Sequence, residues 1–446
     1  MANFTYDVVI IGSGASGTTV AFEAQAAGLK VAIVEERSWG GTCVLRGCDP
    51  KKVLVGAAEA RNLSTRLRGK GIKQAATISW TDLMAFKETF VEDVPESRLE
   101  SFQNADIETF FGPASFQDVN TLQVDDDILT AKKIVIATGA TPSKLQVEGQ
   151  EYIQTSDDFL SLEKLPDSVV FIGGGYISFE FASIVQATGR EVHVIHHNSA
   201  PLKKFDPDFV AALVSSMKEE GVHFHFDTDI TKIEKNGEKL HLQGKNGFSL
   251  NTDLIVGATG RKPNIDHLSL EKANIDYTKK GIVVNEKLQI PTNPHIYACG
   301  DVADTKGAPL TPVVSLEAAF VAKNILGGDE KVDYPAIPSV VFTSPKLASI
   351  GISIEEAKAD PEKYQIKQHD TTNWYTYKRT NESIALAKII EDRETGQIKG
   401  AHFLSEEADY MINYIALLMK ANLTLADLQS VIFAYPSPAS DLTALN

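Results

Sequence analysis

The chain has only three cysteines in 446 residues, Cys43, Cys48 and Cys299. Such scarcity excludes a fold stapled by many disulfides and makes a reducing cytoplasm the expected compartment. Long apolar runs are missing too, none approaching the ~20 residues that a membrane-crossing helix needs. The opening stretch Met-Ala-Asn-Phe-Thr-Tyr-Asp lacks the basic and apolar segments of a secretory signal, so none is expected. Positive charge is also short: 43 Lys and Arg stand against 59 Asp and Glu, for a formal net charge of −16. Nucleic acid and anionic membranes both demand a basic footprint, so neither is the expected main partner. What remains is an ordinary globular composition, 43% hydrophobic and 23% charged, with length for roughly two to four domains.

Two of the three cysteines lie in Gly40-Gly41-Thr42-Cys43-Val44-Leu45-Arg46-Gly47-Cys48-Asp49-Pro50-Lys51-Lys52. Four intervening residues suit a disulfide that opens and closes, although the same spacing also occurs in metal sites. No second cysteine pair exists and Cys299 is remote, which favours redox chemistry. Pro50 suits the first position of a helix. Asp49 is placed to cap it, so Cys48 is expected just outside a helix N-terminus, where free N–H groups and the helix dipole favour a thiolate.

Upstream, Asp7–Ile11 reads as a buried parallel strand, followed by Gly12-Ser13-Gly14-Ala15-Ser16-Gly17, a helix to about Ala27, and a second strand, Lys30–Val34, ending in Glu35. This is a complete βαβ dinucleotide unit: Gly12 for the turn, Gly14 for approach to a pyrophosphate, Gly17 for helix packing, and Glu35 for ribose hydroxyls. A second unit runs from Val169–Ile172 through Gly173-Gly174-Gly175-Tyr176-Ile177-Ser178 and a helix carrying Glu180 to the strand Glu191–Ile195. Ser178 replaces the third glycine and is still small. After that strand come His196, His197, Lys203 and Lys204, with no carboxylate until Asp206. An acid there would suit the 2′-hydroxyl of NADH and cations suit the 2′-phosphate of NADPH, so NADPH is expected, with NADH as the alternative.

Each unit closes with a strand and an Ala-Thr-Gly turn, at Thr138-Gly139 and at Thr259-Gly260, which suggests duplication. Between them, Val53–Arg61 and Trp80–Phe102 carry apolar residues at helical spacing, and Ala114–Gln117 with Thr121–Val124 read as a β-meander. A later strand, Pro294–Ala298, ends in Gly300-Asp301, and Leu310-Thr311-Pro312-Val313 opens a helix to about Leu326. From Tyr334 the texture changes to short strands at Val340–Phe342, Ala348–Gly351 and Ile366–Lys367, then helices at about Ser405–Ala421 and Leu425–Val431.

With these motifs the chain resembles the class I pyridine nucleotide-disulfide oxidoreductases, the family of glutathione reductase, dihydrolipoamide dehydrogenase and mercuric reductase. The resemblance implies an α/β fold: two Rossmann-like nucleotide-binding domains, for FAD and NAD(P), plus an α+β C-terminal dimerisation domain. The implied boundaries are 1–145 and 266–332 for the two parts of the FAD and central region, 146–265 for NAD(P), and 333–446 for the interface. It implies FAD and NADPH as cofactors and a homodimer as the assembly. Cofactor contacts would come from Gly12, Gly14, Gly17, Glu35, Gly41, Thr42, Lys51, Thr138, Gly139, Asp301 and Thr311, and from Gly173, Gly175, Tyr176, Ser178, His197, Lys203 and Gly260. The implied catalytic set is Cys43 and Cys48 as redox pair, Lys51 beside the flavin with Glu180 as its carboxylate partner, and Tyr435.

Tyr435 is a departure. Disulfide-reducing members carry a histidine there, with a glutamate where Ser440 stands; a phenol donates a hydrogen bond but accepts a proton poorly at neutral pH. Tyrosine at this place also occurs in mercuric reductase, but the tail here ends Leu445-Asn446 without the cysteine pair that delivers metal. The arginines that hold glutathione's carboxylates align with Phe22 and Ala319. Asp49, where an apolar residue is usual, opposes thiolate formation unless it is held away from the sulfur. The expected function is NADPH-driven reduction of a small disulfide or thiol-reactive oxidant other than glutathione. The alternatives are an NAD(P)H reductase for metal ions, quinones or oxygen, and a flavin redox sensor.

Overall fold

Tyr6–Ile11 shows how alternation builds the first half of the molecule. In the computed structural model, which describes residues 4–446, Val8 and Ile10 face the helices Ala15–Ala26 and Thr311–Ile325, while Val9 and Ile11 face the meander through Phe116 and Leu122. A strand buried on both faces has to be apolar throughout and parallel to its neighbours. Val8 pairs with Val31 on one side and Lys133 on the other, both in parallel register. The main path of this eight-stranded sheet is Gln289–Ile290, Asn293–Ala298, Asp127–Ile136, Tyr6–Ile11, Val31–Glu35, Glu108–Phe111, with Thr121–Val124 and Ala114–Asp118 branching from Asp127–Ile136. This sheet belongs to a compact unit made of the residues up to Lys52, Ala85–Ser143 and Gly260–Tyr334.

A second unit comprises Val53–Met84, Lys144–Thr259 and Pro335–Asn446. Its parallel sheet orders Val222–His225, Glu191–Ile195, Ser168–Ile172, Leu254–Gly257 and Ile153–Gln154. Val169, Phe171, Val192 and Val194 meet the helices on one face; Val170, Ile172, Ile195 and Ile255 meet a three-stranded antiparallel meander on the other. The same unit contains a five-stranded antiparallel sheet in the order Ser339–Val341, Lys346–Gly351, Ile398–Ser405, Leu386–Asp392, Tyr364–Asp370. The helix Ala408–Ala421 packs Met411, Ile412 and Ile415 into its core.

Several expectations change. Trp80–Phe102 is two helices, Trp80–Glu88 and Val94–Asn104, because Pro95 has no N–H to continue the ladder and takes the first turn of the second. Leu425–Val431 is reduced to a 3₁₀ turn at Ala426–Ser430. The strands Leu386–Asp392 and Ile398–Ser405 were not expected from sequence. Their Ala, Lys, Asp and Gly content is poor in strand formers, and pairing with buried neighbours overrides that preference. Among the described residues no helix is long and apolar enough to cross a membrane.

Asp206 and Lys388 form a desolvated ion pair within the second unit: Lys388 Nζ lies 3.0 and 2.9 Å from the two Asp206 oxygens, with side chains 3% and 0% exposed. Asp206 also accepts from Phe209 N at 2.9 Å, capping the helix Pro207–Glu219. Removing one partner strands the other charge. Lys388→Ala is therefore expected to destabilise the protein by about 3–5 kcal/mol, whereas Lys262→Ala, which breaks an exposed pair with Asp266, should cost at most about 1 kcal/mol. Urea denaturation followed by fluorescence distinguishes the two.

Candidate functional site

In the first unit, three glycines shape a cradle at the carboxyl end of Tyr6–Ile11. Gly12 has φ +107°, and a Cβ there would stand 2.4 Å from the Ala137 carbonyl oxygen; at Gly17 it would stand 1.9 Å from the Gly12 oxygen. Gly41, at φ +76°, brings its backbone against Gly14 so closely that a Cβ would lie 2.4 Å from Gly14 Cα. The helix Ala15–Ala26 starts at Gly14 without a side-chain cap, leaving N–H groups for an anion. Glu35 is buried at the end of the next strand. Its Oε2 accepts from Ser13 N at 3.0 Å and Ser13 Oγ at 2.6 Å, and its Oε1 from Arg37 N at 2.9 Å; a carboxylate has further accepting capacity. The cradle fits the pyrophosphate and adenosine ribose of FAD. Ser13, which the sequence offers only as a variable position in the glycine motif, also accepts from Gly40 N at 3.0 Å and so ties the motif to the cysteine segment.

That segment is folded differently from expectation. Cys43 lies inside a short helix, Gly41–Arg46, and Cys48 is the first residue of the helix Cys48–Arg66 rather than a residue outside it. Asp49 therefore sits in the first turn and does not precede the helix as a cap. Gly47, with φ −145° and ψ −115°, breaks the path so that the second helix starts two residues early, at Cys48. A Cβ on Gly47 would stand 2.9 Å from the Thr42 carbonyl oxygen. The helix-terminus effect on Cys48 survives this correction, because first-turn N–H groups are still unpaired within the helix.

Both cysteines are free thiols, Cys43 half-buried and Cys48 exposed. Thr311 Oγ1 stands 3.1 Å from Cys43 Sγ and 3.5 Å from Cys48 Sγ. A hydrogen bond from the Cys43 thiol, with help from Thr311 and the Lys51 charge, brings the Cys48 pKa down to about 6 against the opposing effects of desolvation and Asp49. The same bond to Cys48, together with burial, pushes the Cys43 thiol up. The two opposed shifts favour the charge on Cys48 and the proton on Cys43.

Gly300, at φ +76°, donates to buried Glu317 Oε2 at 2.7 Å; Glu317 Oε1 accepts from Thr305 Oγ1 at 2.8 Å and Tyr334 OH at 2.6 Å. This network, invisible in the motif, fixes the turn that presents Asp301, whose carboxyl is raised by burial. Thr138 Oγ1 donates to Asn264 O at 2.7 Å, and Gly139 O accepts from Asn264 N at 2.9 Å. Gly260 O accepts from Ser143 N at 3.0 Å, so the Gly139 and Gly260 turns meet in one two-stranded link, Ala140–Pro142 with Arg261–Pro263.

In the second unit, Gly173 at φ +137° would place a Cβ 2.1 Å from the Ala258 carbonyl oxygen, the counterpart of Gly12 and Ala137. The helix Tyr176–Ala187 starts at Gly175 with no side-chain cap, again leaving N–H groups for a pyrophosphate. Ser178 is fully buried and Tyr176 exposed at the helix start. Glu180 is buried and accepts from Phe342 N at 2.9 Å. His197 and Lys203 lie exposed on the loop after Glu191–Ile195. Tyr435 is 79% exposed, beside Ile432 at 99%. Lys51 lies in the first unit with Cys48, and Glu180 and Tyr435 in the second. Among the described residues, no group of three or more His, Cys, Asp or Glu side chains is placed to hold a metal ion.

Because Asp49 raises the Cys48 pKa and Thr311 lowers it, Asp49→Asn should extend thiolate reactivity to lower pH, and Thr311→Val should confine it to higher pH. The wild-type protein should lose its fast alkylation as pH falls through about 6. Iodoacetamide rates against pH, with the modified cysteine located by mass spectrometry, measure all three midpoints.

Comparison with known proteins agrees with this geometry. Residues 6–322 match the model of the pyridine nucleotide-disulphide oxidoreductases, and residues 337–445 match the dimerisation domain of the same family. The chain is 32% identical to a glutathione reductase of Burkholderia cepacia over 447 residues, covering 100% of this chain and 99% of the relative. It is 32% identical to a mercuric reductase of Bacillus cereus, covering 99% of this chain and 71% of the relative. The solved copper(II) complex of the HOCl-induced flavoprotein disulfide reductase RclA from Escherichia coli superimposes with a TM-score of 0.90 at 26% identity, covering 100% of this chain and 99% of that one. Two uncapped glycine turns, a cysteine pair gathered on Thr311, and a full-length match make this chain a member of the pyridine nucleotide-disulphide oxidoreductase family, enzymes that work with FAD and NAD(P)H.

Proposed function

We propose that the protein is a homodimeric NADPH-dependent reductase whose Cys43–Cys48 pair reduces a small disulfide or thiol-reactive oxidant. The observation that carries this reading is the cysteine pair gathered on one hydroxyl, Thr311 Oγ1 standing 3.1 Å from Cys43 Sγ and 3.5 Å from Cys48 Sγ, at the start of the helix Cys48–Arg66. FAD, when bound, supplies two-electron transfer between the nicotinamide and the cysteines. The residues proposed to hold it are Gly12, Gly14, Gly17, Glu35, Gly41, Thr42, Lys51, Thr138, Gly139, Asp301 and Thr311. Gly173, Gly175, Tyr176, Ser178, His197 and Lys203 are proposed for NADPH. Gly260, whose carbonyl accepts from Ser143 N, is proposed for NADPH with them.

The thiol chemistry then needs no histidine. As Cys43 attacks the substrate disulfide, its proton passes to the Cys48 thiolate, and the first substrate thiolate leaves, taking that proton from Cys48. The regenerated Cys48 thiolate attacks Cys43 Sγ, releasing the second substrate thiolate, which takes a proton from water. A Cys43–Cys48 disulfide remains, oxidised by two electrons, to be reduced again at the expense of NADPH. Reactivity in exchange requires a thiolate, and the pair generates it internally. Lys51 is proposed to steady that charge, and Glu180 is proposed as a further catalytic residue.

Tyr435 is proposed as a hydrogen-bond donor reaching the other subunit. Support for a homodimer comes from the dimerisation-domain match at 337–445 and from Tyr410, Tyr414 and Leu417, which line an exposed face of Ala408–Ala421 at helical spacing. NADPH is favoured over NADH because Asp206, the first carboxylate after the strand, is engaged by Lys388 and Phe209 N. The domain boundaries are proposed as 1–145 with 266–332, 146–265 and 333–446, and a reducing cytoplasm as the setting that keeps both thiols free.

A second reading, reduction of a metal ion, is favoured by Tyr435 and by the mercuric reductases among the relatives. Anaerobic addition of one equivalent of NADPH to the oxidised holoenzyme should raise the thiols reacting with Ellman's reagent by two per chain. Cys48→Ser should show no such rise, and an unchanged count in wild type would remove the pair from the mechanism. Cys43→Ser should abolish turnover with the physiological disulfide or oxidant; turnover that survives it points to an acceptor that bypasses the cysteines. Tyr435→His should leave the rate within about threefold if the pair supplies its own base; a rise of about tenfold or more would show that proton transfer at this position limits the wild type.

A further inference from the structure

Asp49 has no task in the thiol chemistry described above, and yet it stands beside the reacting atoms. It follows Cys48 directly, in the first turn of the helix Cys48–Arg66, and both residues are exposed. Thr311 Oγ1, 3.1 Å from Cys43 Sγ and 3.5 Å from Cys48 Sγ, holds the two sulfurs at that turn. A carboxylate in this place works against the thiolate, since it raises the pKa of both cysteines.

The charges that act on the attacking sulfur are of one sign. For Cys43 the strongest are the Cys48 thiolate and Asp49, both negative. Lys51 is the cation that acts on Cys48. Arg46 and Lys52 share the segment, but neither is among the strongest influences on either sulfur. The neighbouring helices add no basic group close by. Thr311–Ile325 has none before Lys323, roughly 18 Å along the helix axis from Thr311, and Lys323 Nζ is engaged by Glu330 Oε2 at 3.1 Å. Its one acid, Glu317, is turned onto Gly300 N and Thr305 Oγ1. Ala15–Ala26, which starts where Gly14 meets Gly41, has no Lys or Arg. An acceptor that brings its reactive atom to Cys43 therefore enters a field set at close range by a carboxylate and a thiolate.

We propose that Asp49 selects the acceptor by charge, favouring a disulfide or oxidant with a cationic group next to its reactive atom over one with a carboxylate there. The inference rests on the preceding reading of Cys43 and Cys48 as the reducing centre, and it names the class of molecule that centre serves. Asp49 lowers the reactivity of the pair toward every acceptor by opposing the thiolate, and its attraction restores the rate for cationic ones alone.

Three symmetrical disulfides of similar size separate charge from reactivity: cystamine, bis(2-hydroxyethyl) disulfide and 3,3′-dithiodipropionate, which bear amines, hydroxyls and carboxylates. Burial raises the Asp49 pKa, so NADPH-dependent turnover by the FAD-loaded enzyme is followed at about pH 8, well above the ordinary carboxylate value of about 4. The kcat/KM should fall in that order. Asp49→Asn should reduce the cystamine-to-dithiodipropionate ratio by about tenfold, with the hydroxyethyl compound correcting for any general gain in thiolate. Asp49→Glu, which keeps the charge, should retain most of the wild-type ratio, and added salt should lower the ratio more in wild type than in Asp49→Asn. A ratio unchanged by Asp49→Asn, while the hydroxyethyl disulfide still turns over, would overturn selection by charge and leave the reductase standing. Turnover of none of the three would overturn the small-disulfide reading, and a measurement without turnover then decides the charge effect. In the reduced wild-type enzyme, whose third cysteine, Cys299, is fully buried, two methanethiosulfonates are compared, the cationic 2-(trimethylammonium)ethyl and the anionic 2-sulfonatoethyl reagent. Their rate ratio should exceed that for free 2-mercaptoethanol by about tenfold, and Asp49→Asn should bring the two ratios together. Equal ratios in wild type and free thiol would overturn the proposal.

Discussion

The close approach of Gly41 to Gly14 is the constraint on which the first unit's chemistry depends. A Cβ on Gly41 would lie 2.4 Å from Gly14 Cα, so the backbone that carries Cys43 is pressed against the backbone that opens the helix Ala15–Ala26. Ser13 reinforces the junction by bonding Glu35 and receiving Gly40 N. A single rigid contact thus sets where the sulfur atoms stand relative to the anion-binding helix end. Electron transfer and thiol exchange tolerate little misplacement of the reacting atoms, and this contact is made of groups that have no rotamers to wander through.

The two glycine motifs show how far a shared architecture constrains chemistry. Gly12 and Gly173 both turn at positive φ against an alanine carbonyl, Ala137 and Ala258 respectively, and both helices begin uncapped. What differs is the residue set at the end of the second strand: buried Glu35 in one case, His196 with exposed His197 in the other. The backbone gives both motifs the same tight turn and uncapped helix start, and the two differ in the side chains beside it.

Much of this was legible from sequence because the elements concerned are encoded locally. The strand–glycine–helix order, the acid at Glu35 and the cysteine spacing each have a direct physical meaning without tertiary context. Three features were not legible. The early start of the helix at Cys48 depends on the Gly47 break, which overrides the local preference of Asp49 and Pro50 for the cap and first turn. Glu317 is bound by Gly300, Thr305 and Tyr334, residues brought together only by folding. The strands Leu386–Asp392 and Ile398–Ser405 owe their conformation to their neighbours, Gly400 being required where a Cβ would meet the Ile352 carbonyl oxygen at 2.5 Å.

The link at Ser143 and Gly260 bears on how the chain is made. Asp127–Ile136 has Asn293–Ala298 as its neighbour on one side, yet that partner is translated only after the whole excursion from Lys144 to Thr259. At ribosomal rates of about 5–20 residues per second, the nascent central sheet waits roughly ten seconds or more with an unpaired edge. Such an edge invites pairing with other chains, so this fold places a premium on chaperone cover during synthesis that a contiguous domain of equal size would not.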